Sequence, residues 1–145
     1  FGREYKPVET YYGDAKTLIY ITGSFAETAM TAVDIMREAG DDVGLVRLRL
    51  WRPFPFEEFR AAVANTETLI TIDRAISFGG PGGVIASELK AALYNVEKKP
   101  AVVIFVAGLG GRDIQIEHFE EIVKLGREIA ANGSPNEYEM YGVRE

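Results

Sequence analysis

No cysteine occurs in these 145 residues. That excludes disulfides, thiolate catalysis, iron–sulfur ligation and thiolate zinc sites within this chain. A single histidine, His118, also excludes a multi-histidine metal site. No apolar run approaches the roughly 20 residues that a membrane-spanning helix needs, and no signal-peptide pattern is present. The chain therefore reads as cytoplasmic, with no membrane partner. An excess of basic residues is missing too: 16 lysines and arginines stand against 22 aspartates and glutamates, for a net charge of -6. Nonspecific binding to nucleic acid or to an anionic membrane is not expected. The first residue is Phe1 rather than methionine, which reads as a piece of a longer polypeptide.

What is present is an ordinary globular composition, 47% hydrophobic and 26% charged, long enough for one domain with a real core. The most informative stretch is Arg47-Leu48-Arg49-Leu50-Trp51-Arg52-Pro53-Phe54-Pro55. Val46, Leu48 and Leu50 alternate with Arg47 and Arg49, the period-two pattern of a strand with unequal faces. Pro53 removes a ladder donor, and Phe54-Pro55 turns the chain into a helix bearing Phe56, Phe59 and Val63.

From Thr17 onward, strand and helix alternate four times. Leu18-Ile19-Tyr20-Ile21 is an uncharged run suited to a strand covered on both faces. Ser24-Phe25-Ala26-Glu27 has the spacing of a capping box, and Gly40 is a natural terminator of the helix that follows. The arginine-rich strand covers about 43–51, and its helix about 55–64. A third strand at 69–72 ends at Asp73-Arg74. The loop Gly79-Gly80-Pro81-Gly82-Gly83 then leads into a helix with Ile85, Leu89, Ala92 and Val96 on one stripe. After Pro100 comes the most apolar strand, 101–106. A second glycine corner, Gly108-Leu109-Gly110-Gly111-Arg112-Asp113, precedes a last helix with Phe119, Ile122, Val123 and Ile129. This alternation predicts an α/β fold of three layers, α/β/α, around a mostly parallel sheet of about five strands. The organisation expected is an extended segment at 1–16, a domain at 17–132 and a tail at 133–145. Both ends read as loosely packed, with Tyr5, Tyr11, Tyr12, Tyr138 and Tyr141 as anchors.

Little here suggests chemistry. The 79–83 loop sits where open α/β sheets bind ligands, but it is neither GxGxxG nor a phosphate loop. A tight turn needing positive φ is the plainer reading. Arg74, Arg112 and Asp113 lie just past two strand ends, suited either to an anion or to ion pairs at a subunit contact. Arg47 and Arg49 share one strand face, so either that face is partly open or another domain covers it with carboxylates. His118 reads as a surface residue beside Glu121. Glu57-Glu58 and Glu120-Glu121 read as complements to helix dipoles. No nucleophile, base and oxyanion hole assemble.

The corners carry a resemblance. Arg49-Leu50-Trp51-Arg52-Pro53-Phe54-Pro55 resembles the Arg-x-x-x-Pro corner of transketolase C-terminal domains. Together with Asp73-Arg74-Ala75-Ile76-Ser77-Phe78-Gly79 and Gly108-Leu109-Gly110-Gly111-Arg112-Asp113, it is similar to the C-terminal domain of the α subunit of 2-oxoacid:ferredoxin oxidoreductases, the pyruvate synthase group. The similarity runs over about 17–129. At 115–117, Gln115-Ile116-Glu117 replaces the threonine or serine cap usual in that group.

The resemblance implies a thiamine-diphosphate complex that oxidatively decarboxylates a 2-oxoacid to its acyl-CoA and passes electrons to ferredoxin or a similar acceptor. Thiamine diphosphate, Mg and iron–sulfur clusters would belong to other domains and subunits, and none to this chain. The implied assembly is a hetero-oligomer including thiamine-binding domains and an iron–sulfur subunit. It would also include a preceding pyrimidine-binding domain that this chain lacks. No catalytic residue transfers, so Arg47, Arg49, Arg52, Arg74, Arg112 and Asp113 stand as interface or weak anion-site candidates. Two rivals are a CoA- or phosphate-binding module at the glycine corners and a stand-alone interaction domain.

Overall fold

Leu18, Ile19, Tyr20 and Ile21 place apolar groups on both sides of an extended backbone, and they lie at the centre of a six-stranded sheet. A computed structural model describes residues 2, 5–134 and 136–143. Its strands are β1 (Val8–Tyr11), β2 (Thr17–Thr22), β3 (Val43–Leu48), β4 (Thr68–Asp73), β5 (Ala101–Ala107) and β6 (Glu139–Tyr141). Their spatial order is β1-β3-β2-β4-β5-β6, with β1 antiparallel to β3 and every other pairing parallel. Parallel neighbours need crossovers, supplied here by α1 (Phe25–Glu38), α2 (Phe56–Ala62), α3 (Val84–Leu93) and α4 (Ile116–Asn132).

Alternation along the strands divides the core in two. Ile19 and Ile21 of β2 join Ile70, Ile72 and Phe105 beneath α1 and α4, where Ala29, Val33, Phe119 and Ile122 meet them. Leu18 and Tyr20 point the other way, with Val46 and Leu69, to Phe59 of α2 and Leu89 of α3. The expected α/β/α layering is the observed one.

The sheet has six strands where about five were expected, because both terminal segments pair. Val8 packs into the core through β1, and β6 adds to the opposite edge. The tyrosine anchors bind this chain's own surface: the Tyr11 hydroxyl donates to Asp34 Oδ1 at 2.7 Å, and Arg37 lies over the Tyr12 ring. That acceptor pushes the Tyr11 phenol up to about 12. The arginine-rich strand is shorter than its alternation suggested. The amides of Arg49 and Leu50 both turn to the Pro7 carbonyl, and Leu50 emerges into solvent.

Helix ends show local competition. Gly40, at φ 89°, closes α1: its amide bonds the Arg37 carbonyl and the Asp41 amide bonds that of Met36. The expected capping box at Ser24 is not made, since Ser24 forms no side-chain cap and Glu27 turns to Arg47 instead. Glu57 and Glu58 do occupy the first turn of α2, whereas in α4 that place belongs to Glu117 rather than Glu120 and Glu121.

At the amino edge of the sheet, Arg127 of α4 ties three elements together. It donates to Thr17 Oγ1 at 2.9 Å, Asp41 Oδ1 at 2.7 Å and the Asp42 carbonyl at 3.0 Å. Arg127→Met keeps the aliphatic stem and removes all three bonds. It is expected to lower the unfolding free energy by about 1–3 kcal/mol, read by urea denaturation. An unchanged midpoint would show that the cluster is only decorative.

Candidate functional site

The chain lays β3 on one side of β2 and then returns to lay β4 on the other. That reversal makes a switch point at the carboxyl ends of β2 and β4, where open α/β sheets hold their ligands. Four connections meet this edge: residues 23–24, 49–55, 74–83 and 108–115.

The position that an external anion would take at the start of α3 is filled from within. Asp73, the last residue of β4, is buried, and its carboxylate accepts from the Ile85 amide through Oδ1 and the Ala86 amide through Oδ2, each at 3.1 Å. Two orphan donors of the helix are thereby satisfied. Gly83 has extended backbone, φ -62°, so its requirement is space rather than a positive φ. A Cβ there would lie 2.0 Å from Asp73 Oδ2. Burial raises the Asp73 carboxyl above the ordinary aspartate range, and the two amides partly oppose it.

The arginine candidates separate into groups. Arg47 Nη1 donates to Glu27 Oε1 of α1 at 2.8 Å, and Arg49 Nη1 to Glu9 Oε1 of β1 at 2.8 Å, with Arg49 stacked on Tyr5. The carboxylates facing that strand therefore come from this chain itself, a source not foreseen. Arg52 forms a two-pronged pair with Glu88 of α3, at 2.7 and 2.5 Å, and lies over Trp51. The Trp51 indole N–H donates to the same carboxylate at 2.8 Å. The Arg52 guanidinium, followed by the indole, holds Glu88 below the usual glutamate range. Arg74 stacks on Phe25, 4.1 Å from the ring centre, and approaches Gly108 in the second glycine corner. Arg112 belongs to that corner, and Asp113 Oδ1 accepts from the neighbouring Ile114 amide at 3.0 Å. Arg74 and Arg112 are thus brought to one corner, while Arg47, Arg49 and Arg52 are not.

Exposed apolar side chains fringe the same edge. The loop after β4 folds as a small hairpin, with Ile76 bridged to Gly83 and the Ser77 amide bonded to the Gly82 carbonyl at 2.8 Å. Phe78 stands fully exposed at its tip, and Ile76, Leu50, Trp51 and Phe56 are also exposed. Hydrophobic groups so concentrated at one edge suit contact with another macromolecule. Residue-type reasoning overlooked Glu88 and Phe78, although aromatic residues in glycine-flanked loops are a usable signal. His118, read from the sequence as a surface residue, is instead half-buried, and its Nδ1 accepts from the Gln115 amide at 3.0 Å in place of the usual hydroxyl cap. Among the described residues no three His, Asp or Glu side chains gather as metal ligands, and the sequence has no cysteine.

The chain matches the family model described as pyruvate:ferredoxin oxidoreductase core domain II over residues 15–119. It is 39% identical to pyruvate synthase subunit PorA of Pyrococcus abyssi, over 92% of this chain and 34% of that one. It is 35% identical to ketoisovalerate oxidoreductase subunit VorA of Pyrococcus horikoshii, over 99% of this chain and 37% of that one. The chain thus spans about a third of the length of these curated relatives. A split-gene transketolase solved as an inactive beta4 tetramer shares the fold, with a TM-score of 0.65 and 14% identity, over 89% of this chain and 44% of that one.

Gly83→Ala is expected to cost about 1–3 kcal/mol in urea denaturation, since the carboxylate cannot retreat without losing its amides. The pH dependence follows from the raised Asp73 value. The folded chain keeps that proton to higher pH than the unfolded chain does. The associated stabilisation is present in acid and fades as pH rises through the raised folded value. Relative to Asp73→Asn, the wild-type chain should lose stability across that window; parallel stability–pH curves would contradict this.

Proposed function

The chain belongs to the pyruvate:ferredoxin oxidoreductase core domain II family, and from that membership we propose that it is an assembly domain without catalytic residues of its own. The parent enzyme in this reading is a thiamine-diphosphate-dependent 2-oxoacid:acceptor oxidoreductase. It converts a 2-oxoacid, with pyruvate first in line, to its acyl-CoA and sends electrons to ferredoxin or a similar acceptor. A branched-chain acid stays in the substrate class because one relative carries the ketoisovalerate oxidoreductase name.

The observation that carries this reading is the state of the carboxyl edge. Asp73 fills the α3 terminus, and the rim outside it is apolar and exposed. Such an edge suits a protein wall better than it suits a small polar substrate. Thiamine diphosphate, Mg and iron–sulfur clusters are then held by neighbouring domains and subunits. The partners are thiamine-binding domains and an iron–sulfur subunit in a cytoplasmic hetero-oligomer. No helix among the described residues is long and apolar enough to cross a membrane.

Phe78→Ser tests the reading, because a fully exposed side chain contributes little to the fold by itself. In pull-down with the thiamine-binding polypeptides of the same oxidoreductase, binding should weaken tenfold or more. The urea midpoint of the chain alone should move by no more than the equivalent of about 0.5 kcal/mol. Undiminished binding, or 2-oxoacid turnover by the lone chain, would overturn the proposal.

A further inference from the structure

The only histidine sits where three elements meet, and nothing in the proposed assembly role uses it. His118 is the third residue of α4, half-buried, with Nδ1 accepting the Gln115 amide proton at 3.0 Å. An acceptor nitrogen carries no proton, so the neutral ring holds its proton on Nε2. The ring packs edge-on against Tyr141 of β6, with centroids 5.7 Å apart and planes at 65°. The Tyr141 hydroxyl in turn donates to Glu121 Oε2, one turn further along α4. Burial, and then that carboxylate, raise the phenol above the ordinary tyrosine value. Three residues make up β6, paired to β5 on one side only, so side-chain contacts carry much of its attachment.

We propose that His118 is a pH-operated latch that holds β6 on the sheet while its ring is neutral. Protonation at Nδ1 puts a donor opposite the Gln115 N–H, which ends the cap, and places positive charge at the amino end of α4, where the dipole disfavours it. The imidazolium then has an alternative partner in Glu121, the carboxylate that holds Tyr141. Swinging to it displaces the phenol and frees β6.

The other charged groups around the ring decide how sharply this happens. Asp113 and Arg112 line the same cleft from the glycine corner. The Asp113 carboxylate is already engaged by the Ile114 amide, and Arg112 repels an imidazolium. Glu117 lies in the first turn of α4 and favours the cation. Glu121 is the carboxylate whose present partner can be exchanged.

Two-dimensional amide spectra of the chain, recorded from about pH 8 to pH 5, test the latch. The Gln115 amide and the amides of 139–141 should titrate together with the His118 ring protons. Hydrogen-exchange protection in β6, corrected for intrinsic rates, should fall about tenfold across the same transition. His118→Gln keeps a neutral acceptor at every pH and should abolish that response. Glu121→Gln keeps an acceptor for Tyr141 but offers the imidazolium no charge, and should leave β6 protected while His118 still titrates. A β6 response that survives His118→Gln, or β6 amides that ignore the His118 titration, would overturn the proposal.

Discussion

One carboxylate sets the character of the functional edge. Asp73 ends the fourth strand and begins the third helix, because its two oxygens take the amides of Ile85 and Ala86. The strand end and helix start are thereby held in contact, and residue 83 has no room for a side chain. The intervening residues fold back as a hairpin that lifts Phe78 into solvent. The crevice at the switch point, which in other α/β folds receives a ligand, is closed on this side by the protein's own anion. In the proposed assembly role, an edge so closed serves as a surface instead of a site.

Electrostatics elsewhere follows the same economy. The chain carries net charge -6, yet among the described residues five arginines meet carboxylates of the same chain, through Arg37–Asp42, Arg47–Glu27, Arg49–Glu9, Arg52–Glu88 and Arg127–Asp41. Exposed pairs of this kind contribute little to stability singly. Their larger effect is positional. Arg52 and Trp51 share Glu88, which fastens the proline corner to α3, and Arg49 with Tyr5 fastens the segment before β1 to the end of β3. Arg74 and Arg112 are the candidates left beside the second glycine corner, facing the same edge as the exposed aromatics.

Much of the fold was legible because it depends on local periodicity. The uncharged run 18–21 had to be a strand covered twice, and the alternation of strands with helices of 7–17 residues had to be a parallel sheet. The family corners were legible too, as ordered motifs. The terminal strands were not, since four residues of β1 and three of β6 carry no period that outweighs an ordinary extended segment. Nor was the capping of α1 and α4. A serine with a glutamate three residues on spells a box, but Glu27 has a stronger partner in Arg47. Gln115 spells no cap, but His118 reaches back to supply one.

Composition alone determined that this chain holds no thiolate cofactor, and its hydrophobic pattern determined three layers around a parallel sheet. Those properties need only residue types and their spacing, which any conformation of the chain carries. Tertiary structure decided which carboxylate meets which cation, that Asp73 rather than a ligand occupies the start of α3, and that aromatic side chains crown one edge. The Asp73 cap and the pairs of Arg47, Arg49, Arg52 and Arg127 bring groups from 12 to 86 positions apart within about 3 Å, a coincidence that only the folded backbone produces.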